Sequence, residues 1–156
     1  MGLDVGKARI GVAYSPGDAL VTIPLDFIPA RPPDRAIRLV SRQVEERGVV
    51  EVVIGLPRHL NGAEGESARF VREFSQQLAR KIPQVRLCLV DERRSTLSAK
   101  SMLHEGGVRE REQRSKIDSV AAQVILEHAL ELERATGLPP GEEVVAEGSS
   151  RSGTSE

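Results

Sequence analysis

The sequence predicts an α/β domain built on one mixed sheet, antiparallel at its start and parallel afterwards. Three observations carry this. Short apolar runs of period two come first, nearly continuous apolar runs follow, and segments of helical period are interleaved between the later runs. A chain of 156 residues suffices for one domain with a buried core.

Met1 to Tyr14 reads as two strands around a turn. Leu3 and Val5 alternate with Gly2, Asp4 and Gly6, then Ile10, Val12 and Tyr14 alternate with Gly11 and Ala13, and Gly6-Lys7 supplies the turn. Leu20 to Ile28 is β-rich but contains Pro24, which assigns it to a sheet edge. After a loop from Pro29 to Pro33, Asp34 is expected to N-cap a helix reaching about Arg47, with Ile37, Val40 and Val44 on one face. Val49 to Leu56 is almost wholly apolar, the pattern of a central strand covered on both sides. A helix from Gly65 to Ile82 and a second apolar strand, Val85 to Val90, come next. A helix is expected from Ser95 to the break at Gly106-Gly107, and a last long one from Ser115 to about Ala135. The domain is therefore expected over residues 1–136, with 137–156, rich in Gly, Ser, Pro and Glu, as a disordered acidic tail.

Composition narrows the function. Aromatics are 3% of residues, too few for a platform of rings on which bases stack. With a net charge of -1, a polyanionic partner needs a local basic patch. Cys88 is the single cysteine and lies inside an apolar run, which excludes an internal disulfide and favours an inert buried thiol. No apolar run is long enough to span a bilayer and no secretory pattern opens the chain, so a cytoplasmic protein is expected. His59, His104 and His128 have no ligand-spaced partners.

Carboxylates occur where a packed core disfavours them. Asp4 is in mid-strand, Asp91 and Glu92 end a buried strand, and Asp118 shares a helical face with Ala121, Ala122, Ile125 and Ala129. Each has an ordinary explanation: a turn acceptor for Asp4, a strand end for Asp91, and a capping box Ser115-x-x-Asp118. Brought together, such carboxylates repel unless a cation sits among them, and Mg²⁺ or Mn²⁺ is the natural neutraliser. A site of that kind orders a nucleophilic water and stabilises the oxygens of an in-line phosphoryl displacement. Lys7 and Arg9 flank Asp4, and Arg93 to Lys116 holds seven Lys/Arg against three Glu. Cations beside acidic positions suit a phosphodiester backbone, although each alone is equally a solvated charge.

Five ordered motifs run from about residue 2 to 131. They are Leu3-Asp4-Val5-Gly6 with Arg9-Ile10-Gly11-Val12-Ala13; Val53-Ile54-Gly55-Leu56-Pro57; Asn61-Gly62; Asp91-Glu92-Arg93 with Ser95-Thr96; and Lys116 to Ala122 with Ile125-Leu126. In these the chain resembles the YqgF family of small bacterial proteins, also called RuvX, described as Holliday junction resolvases or pre-16S rRNA nucleases. The resemblance implies a ribonuclease H-like fold, a mixed five-stranded sheet with flanking helices. It further implies a metal-dependent nuclease in which Asp4, Glu92 and Asp118 are the catalytic, metal-binding positions, with Asp91 as the alternative to Glu92. Lys7, Arg9, Arg93 and Lys116 would be the nucleic-acid phosphate contacts. The departures are Ala8 where the family often has Lys, Arg94 where an apolar residue is usual, and the acidic tail.

The expected substrate is precursor 16S rRNA, trimmed in its 5′ region during ribosome biogenesis. Branched or single-stranded DNA is the alternative, acted on by a monomer or a homodimer. A non-catalytic RNA-binding assembly factor is a reading of another class. An ATP-binding module, suggested by Asp4-x-Gly6, is weaker because its cleft needs two such domains.

Overall fold

The computed structural model of the chain describes residues 1–16, 21–91 and 110–146, and for residues 110–118 the backbone alone. Its elements are β1 (Gly2–Val5), β2 (Arg9–Tyr14), β3 (Ile23–Pro29), α1 (Pro33–Glu46), β4 (Glu51–Leu56), α2 (Glu66–Lys81), β5 (Arg86–Asp91), α3 (Glu110–Thr136) and β6 (Glu142–Glu143). One sheet has the order β3-β2-β1-β4-β5-β6. Strands β1, β2 and β3 pair antiparallel, β1, β4 and β5 pair parallel, and β6 returns antiparallel on β5. This is the mixed sheet expected of a ribonuclease H-like domain, with a sixth strand added.

Strand alternation divides the core in two. Leu3, Ile10, Val12, Ile54, Leu87 and Leu89 face α1 and α2, whose Val40, Val44, Val71 and Leu78 are buried against them. Ala13, Val53, Cys88 and Val90 face the other way, onto Ala122, Ile125, Leu126 and Ala129 of α3. Covering on both faces is what made the β4 and β5 sequences read as unbroken apolar runs. Strand β3, with its two prolines and largely exposed pattern, lies at the edge as its sequence required.

The α3 face of β1 and β2 carries small residues, and they set how near the helix comes. A Cβ placed on Gly2 would lie 2.7 Å from the Ala122 carbonyl oxygen and 2.8 Å from Leu126 Cβ. Hydrogen bonds hold the helix over the β3 side. Ser119 Oγ donates to the Leu25 carbonyl, Gln123 Nε2 donates to the Thr22 carbonyl at 3.1 Å, and Thr22 Oγ1 donates to Glu127 Oε2 at 2.7 Å.

Three expectations change. Helix α1 is capped by Pro32, with proline at its first position, and Asp34 sits in the first turn beside the helix dipole instead of at the N-cap. Proline's fixed φ starts the helix two residues earlier than an Asp34 cap would. Helix α3 is already formed at Glu110, so Ser115 and Asp118 are interior positions and the capping-box explanation of Asp118 falls away. The helix expected from Ser95 to Gly106 lies outside the described residues.

The segment after Gly137, expected to be a disordered tail, joins the sheet through β6 and is packed against β5 and α2 as far as residue 145. Val144 N–H donates to the Leu87 carbonyl at 2.8 Å, Gln76 Nε2 donates to the Val145 carbonyl at 3.0 Å, and Pro140 is buried. Gly141 makes the approach with φ +74 and would place a Cβ 2.5 Å from the Leu89 carbonyl oxygen. Without this strap the outer edge of β5 would present unpaired backbone groups. Among the described residues no helix is long and apolar enough to cross a membrane.

Three outcomes follow from this packing. Gly2→Ala, read by thermal or urea unfolding, loses about 1–3 kcal/mol because overpacking at a tight helix–strand contact displaces backbone; unchanged stability would show that α3 moves freely. Deleting residues 138–156 costs on the order of 2 kcal/mol through exposure of apolar surface beneath Val144 and Pro140, where a truly disordered tail would cost nothing. The Cys88 thiol is fully buried, and burial pushes its pKa up to about 11. At neutral pH the native thiol should therefore react with a disulfide reagent at least about 100-fold more slowly than the unfolded chain; equal rates would contradict its place in the core.

Candidate active site

Asp4 is half-buried on β1 and lies opposite Gly11 of β2. It has the parity of Gly2, so it faces α3. Gly11 supplies no side chain, which leaves room beside the carboxylate. On the other side, one step beyond the Leu3–Ile54 pair, Asp4 is level with Gly55 of β4. A single carboxylate thus sits on a floor of glycines at the C-terminal end of β1.

Helix α3 brings Asp118 to the same level. Its hydrogen bonds descend from Leu25 at Ser119 to Thr22 at Gln123 and Glu127, so α3 runs antiparallel to β3 and therefore to β1. Ala122 stands against Gly2. From there Asp4 is two strand residues on, a rise of about 6.6 Å, and Asp118 is one helical turn back, a rise of about 6 Å. Both steps go in the same direction. Asp118 has the helical parity of Ala122, Ile125 and Ala129, all buried against the sheet.

The strand-end pair is divided by parity. Asp91 is half-buried at the end of β5, level with Leu56, and shares parity with Leu87 and Leu89, which pack toward α1 and α2. Strand alternation directs it to the face opposite Asp4. Glu92 and Arg93 lie outside the described residues, as do the side chains of Lys116 and Asp118. Among the described residues no group of three or more His, Cys, Asp or Glu could hold a metal ion.

Two cations lie on β2 and in the turn between β1 and β2. Arg9 has the parity of Gly11 and Ala13, so it lies on the α3 face, and its guanidinium rests 5.6 Å from the centre of the Phe27 ring. Lys7 is exposed in the β1–β2 turn, which is closed by Gly6 N–H donating to the Arg9 carbonyl at 2.9 Å, and its Nζ is 3.8 Å from Glu66. An exposed pair at that distance is weak and exchanges readily for another anion.

Sequence reading missed an ion network that fixes the loop after β4. Arg72 of α2 clamps Glu64 with two bonds of 2.7 Å and meets Glu142 of β6 at 2.9 Å, while Arg58 reaches Glu64 at 3.3 Å. Hydrogen bonds from Arg72 hold the Glu64 and Glu142 carboxyls below the ordinary carboxylate range, and raise Arg72 in turn. The partners are far apart in sequence, and no local spacing announces them.

With this geometry in view, the relatives fall into place. The sequence profile of the RuvX family, described as Holliday junction resolvase, matches residues 1–132. Proteins named "Putative pre-16S rRNA nuclease" are 46% identical over 92% of this chain in Streptomyces coelicolor and Streptomyces avermitilis, covering 86% and 92% of their own lengths. One of the same name from Chloroflexus aggregans is 42% identical over 86% of this chain and 94% of its own length. Among solved structures, Thermus thermophilus RuvC in complex with a Holliday junction substrate aligns over 92% of this chain and 97% of its own, with 16% identity and a TM-score of 0.46. A profile match over most of the chain, with identities this high across nearly its whole length, makes the chain a member of the RuvX family.

Proposed function

We propose that this chain is a cytoplasmic, divalent-metal-dependent nuclease that hydrolyses phosphodiester bonds in the 5′ region of precursor 16S rRNA. The observation that carries the reading is Asp4, half-buried on a glycine floor, with the Asp118 helix position one turn from the contact that fixes α3 against β1. A half-buried carboxylate at the end of a strand is a hard oxygen donor of the kind that divalent cations prefer. The names of the curated relatives supply the RNA substrate.

Asp4, Glu92 and Asp118 would hold the ion; of the adjacent pair Glu92 is kept because Asp91 has the parity of the opposite face. These are hard oxygen donors, which fit Mg²⁺ or Mn²⁺. When bound, the ion offsets the negative charge that builds on the phosphate oxygens during displacement. The chain's own residues do the rest. Arg9, placed over the Phe27 ring, gives a planar donor fork to a phosphate oxygen. Lys7 exchanges its exposed contact with Glu66 for the backbone of the strand, and Arg93 and Lys116 add contacts along it. The small residues of β1 and β2 let the scissile phosphate come down close to the Asp4 carboxylate.

Cleavage of branched DNA is the second reading, favoured by the description of the family profile. Precursor 16S leader RNA, linear single-stranded DNA and a four-way junction, each tested with Mg²⁺ or Mn²⁺ and with chelator, separate the two. Metal-dependent cutting of the leader supports the proposal, cutting of the junction alone moves the reading to a resolvase, and no cutting leaves a binding factor. Asp4→Asn and Asp118→Asn should each lower cleavage by at least about 100-fold, since even outer-shell changes at metal sites cost 10–100-fold, with the unfolding transition nearly unchanged. A normal rate in either variant would overturn the assignment of the site.

A further inference from the structure

The faces of α1 and α2 turned away from the sheet hold a groove of about 760 Å³, lined by Asp34, Ile37 and Arg38 from α1 and by Gln77, Arg80 and Lys81 from α2. It adjoins a hollow of about 330 Å³ on α2 that shares Gln77 and Arg80 and adds Arg69, Arg72, Gln76 and the acidic Glu73. Both helices pack on the sheet face opposite α3, so the groove lies on the far side of the molecule from Asp4.

Its cations differ from those of the ion pairs elsewhere on α2 and on the sheet. Arg58, Arg72 and Arg86 are each committed to a carboxylate. Arg38, Arg69, Arg80 and Lys81 are exposed and, among the described residues, none is in an ion pair. The helix dipole accounts for Arg80 and Lys81, which stand in the last turn of α2, and for Asp34 in the first turn of α1. It does not account for Arg38, which faces them across the groove from another helix. In a chain of net charge -1, unpaired like charges gathered from two elements repel, and an anion between them relieves the repulsion.

We propose that this groove is a second nucleic-acid surface, which grips the phosphate backbone of a folded RNA whose cleaved segment lies at Asp4. The proposal rests on the nuclease reading for that second clause, and on the groove alone for the first. Guanidinium forks suit phosphate oxygens and tolerate any sequence. No aromatic residue lines the groove, so bases are not stacked there and the contact is to the backbone. A protein partner fits less well, because a stable protein interface has an apolar core and the one apolar lining residue, Ile37, is itself buried. The groove is on the order of 20 Å from the acidic site, given a helix layer about 10 Å thick on each side of the sheet. Only an RNA long or folded enough to reach around the domain touches both, which would make the enzyme select structured precursors over short strands.

The test uses the full chain and the triple variant Arg38→Gln/Arg80→Gln/Lys81→Gln. Two labelled RNAs carry the same cleavage segment, one as a short single strand and one within a long folded leader. Binding is followed by fluorescence anisotropy in chelator across a salt series, and cleavage of the short strand with Mn²⁺ serves as the folding control. For the folded RNA the variant should bind at least about 10-fold more weakly, and the slope of log affinity against log salt should fall by about 2–3, roughly 0.7–0.9 for each of the three lost phosphate contacts. Affinity for the short strand and its cleavage should not change. An unchanged slope for the folded RNA overturns the proposal, as does equal weakening toward both RNAs. Lost binding of polyglutamate with intact RNA binding also overturns it, in favour of an acidic protein partner. If the wild-type chain cuts neither RNA yet the variant shows the expected loss of slope, the nuclease reading fails and the surface stands.

Discussion

The close approach of α3 to β1 at Gly2 is the contact on which the rest of the structure depends. No side chain separates strand from helix there, and the Ala122 carbonyl and Leu126 Cβ occupy the space a Cβ would take. That contact fixes the depth of α3 over the sheet and its register along β1. Because strand and helix rise by nearly equal amounts over two and four residues, one fixed point suffices to bring Asp118 level with Asp4. The hydrogen bonds to Thr22 and Leu25 set the direction of the helix and keep that match from slipping.

The two faces of the sheet have different work. The face under α1 and α2 is filled with Leu, Ile and Val and supplies most of the buried apolar area. The face under α3 is built of Gly and Ala on β1 and β2, so it contributes less packing but admits polar chemistry. A half-buried carboxylate is tolerated on the thinly packed side, with Arg9 on the same face. The larger apolar core and the Asp4 carboxylate are thereby kept on opposite sides of one backbone layer. The Glu64–Arg72–Glu142 network ties the loop after β4 to the C-terminal strap, so the loop at the sheet's C-terminal end is held by an element beyond the family match at residues 1–132.

Much of this was legible in the sequence because periodicity reports burial directly. Strands β1, β2, β4 and β5 and helices α1 and α2 fall within two residues of where alternation or helical spacing put them. Asp4 stood out for a physical reason, being a charge within a strand pattern. Other features were hidden for equally physical reasons. The first turns of α3 are strongly polar and carry no apolar period, so Glu110 to Arg114 read as loop although the helix is already formed there. The strap looked like linker because Pro139-Pro140-Gly141 and two glutamates carry no apolar period; it is held by backbone pairing and by Arg72, which composition cannot reveal. Sequence alone left Asp91 and Glu92 as alternatives, because the parity of Asp91 is fixed only by the pairing of β5 with β4.

The central claim is that Asp4 and Asp118 serve one ion. Paramagnetic broadening of backbone amide resonances on titrating Mn²⁺ into the full chain tests it most directly, because broadening depends on distance to the ion and needs no substrate. The account predicts that amides around Asp4 in β1 and around Asp118 in α3 broaden together at the same Mn²⁺ concentration, while those of α1 and α2 stay sharp. Broadening at only one of the two segments, or centred elsewhere in the domain, would contradict it.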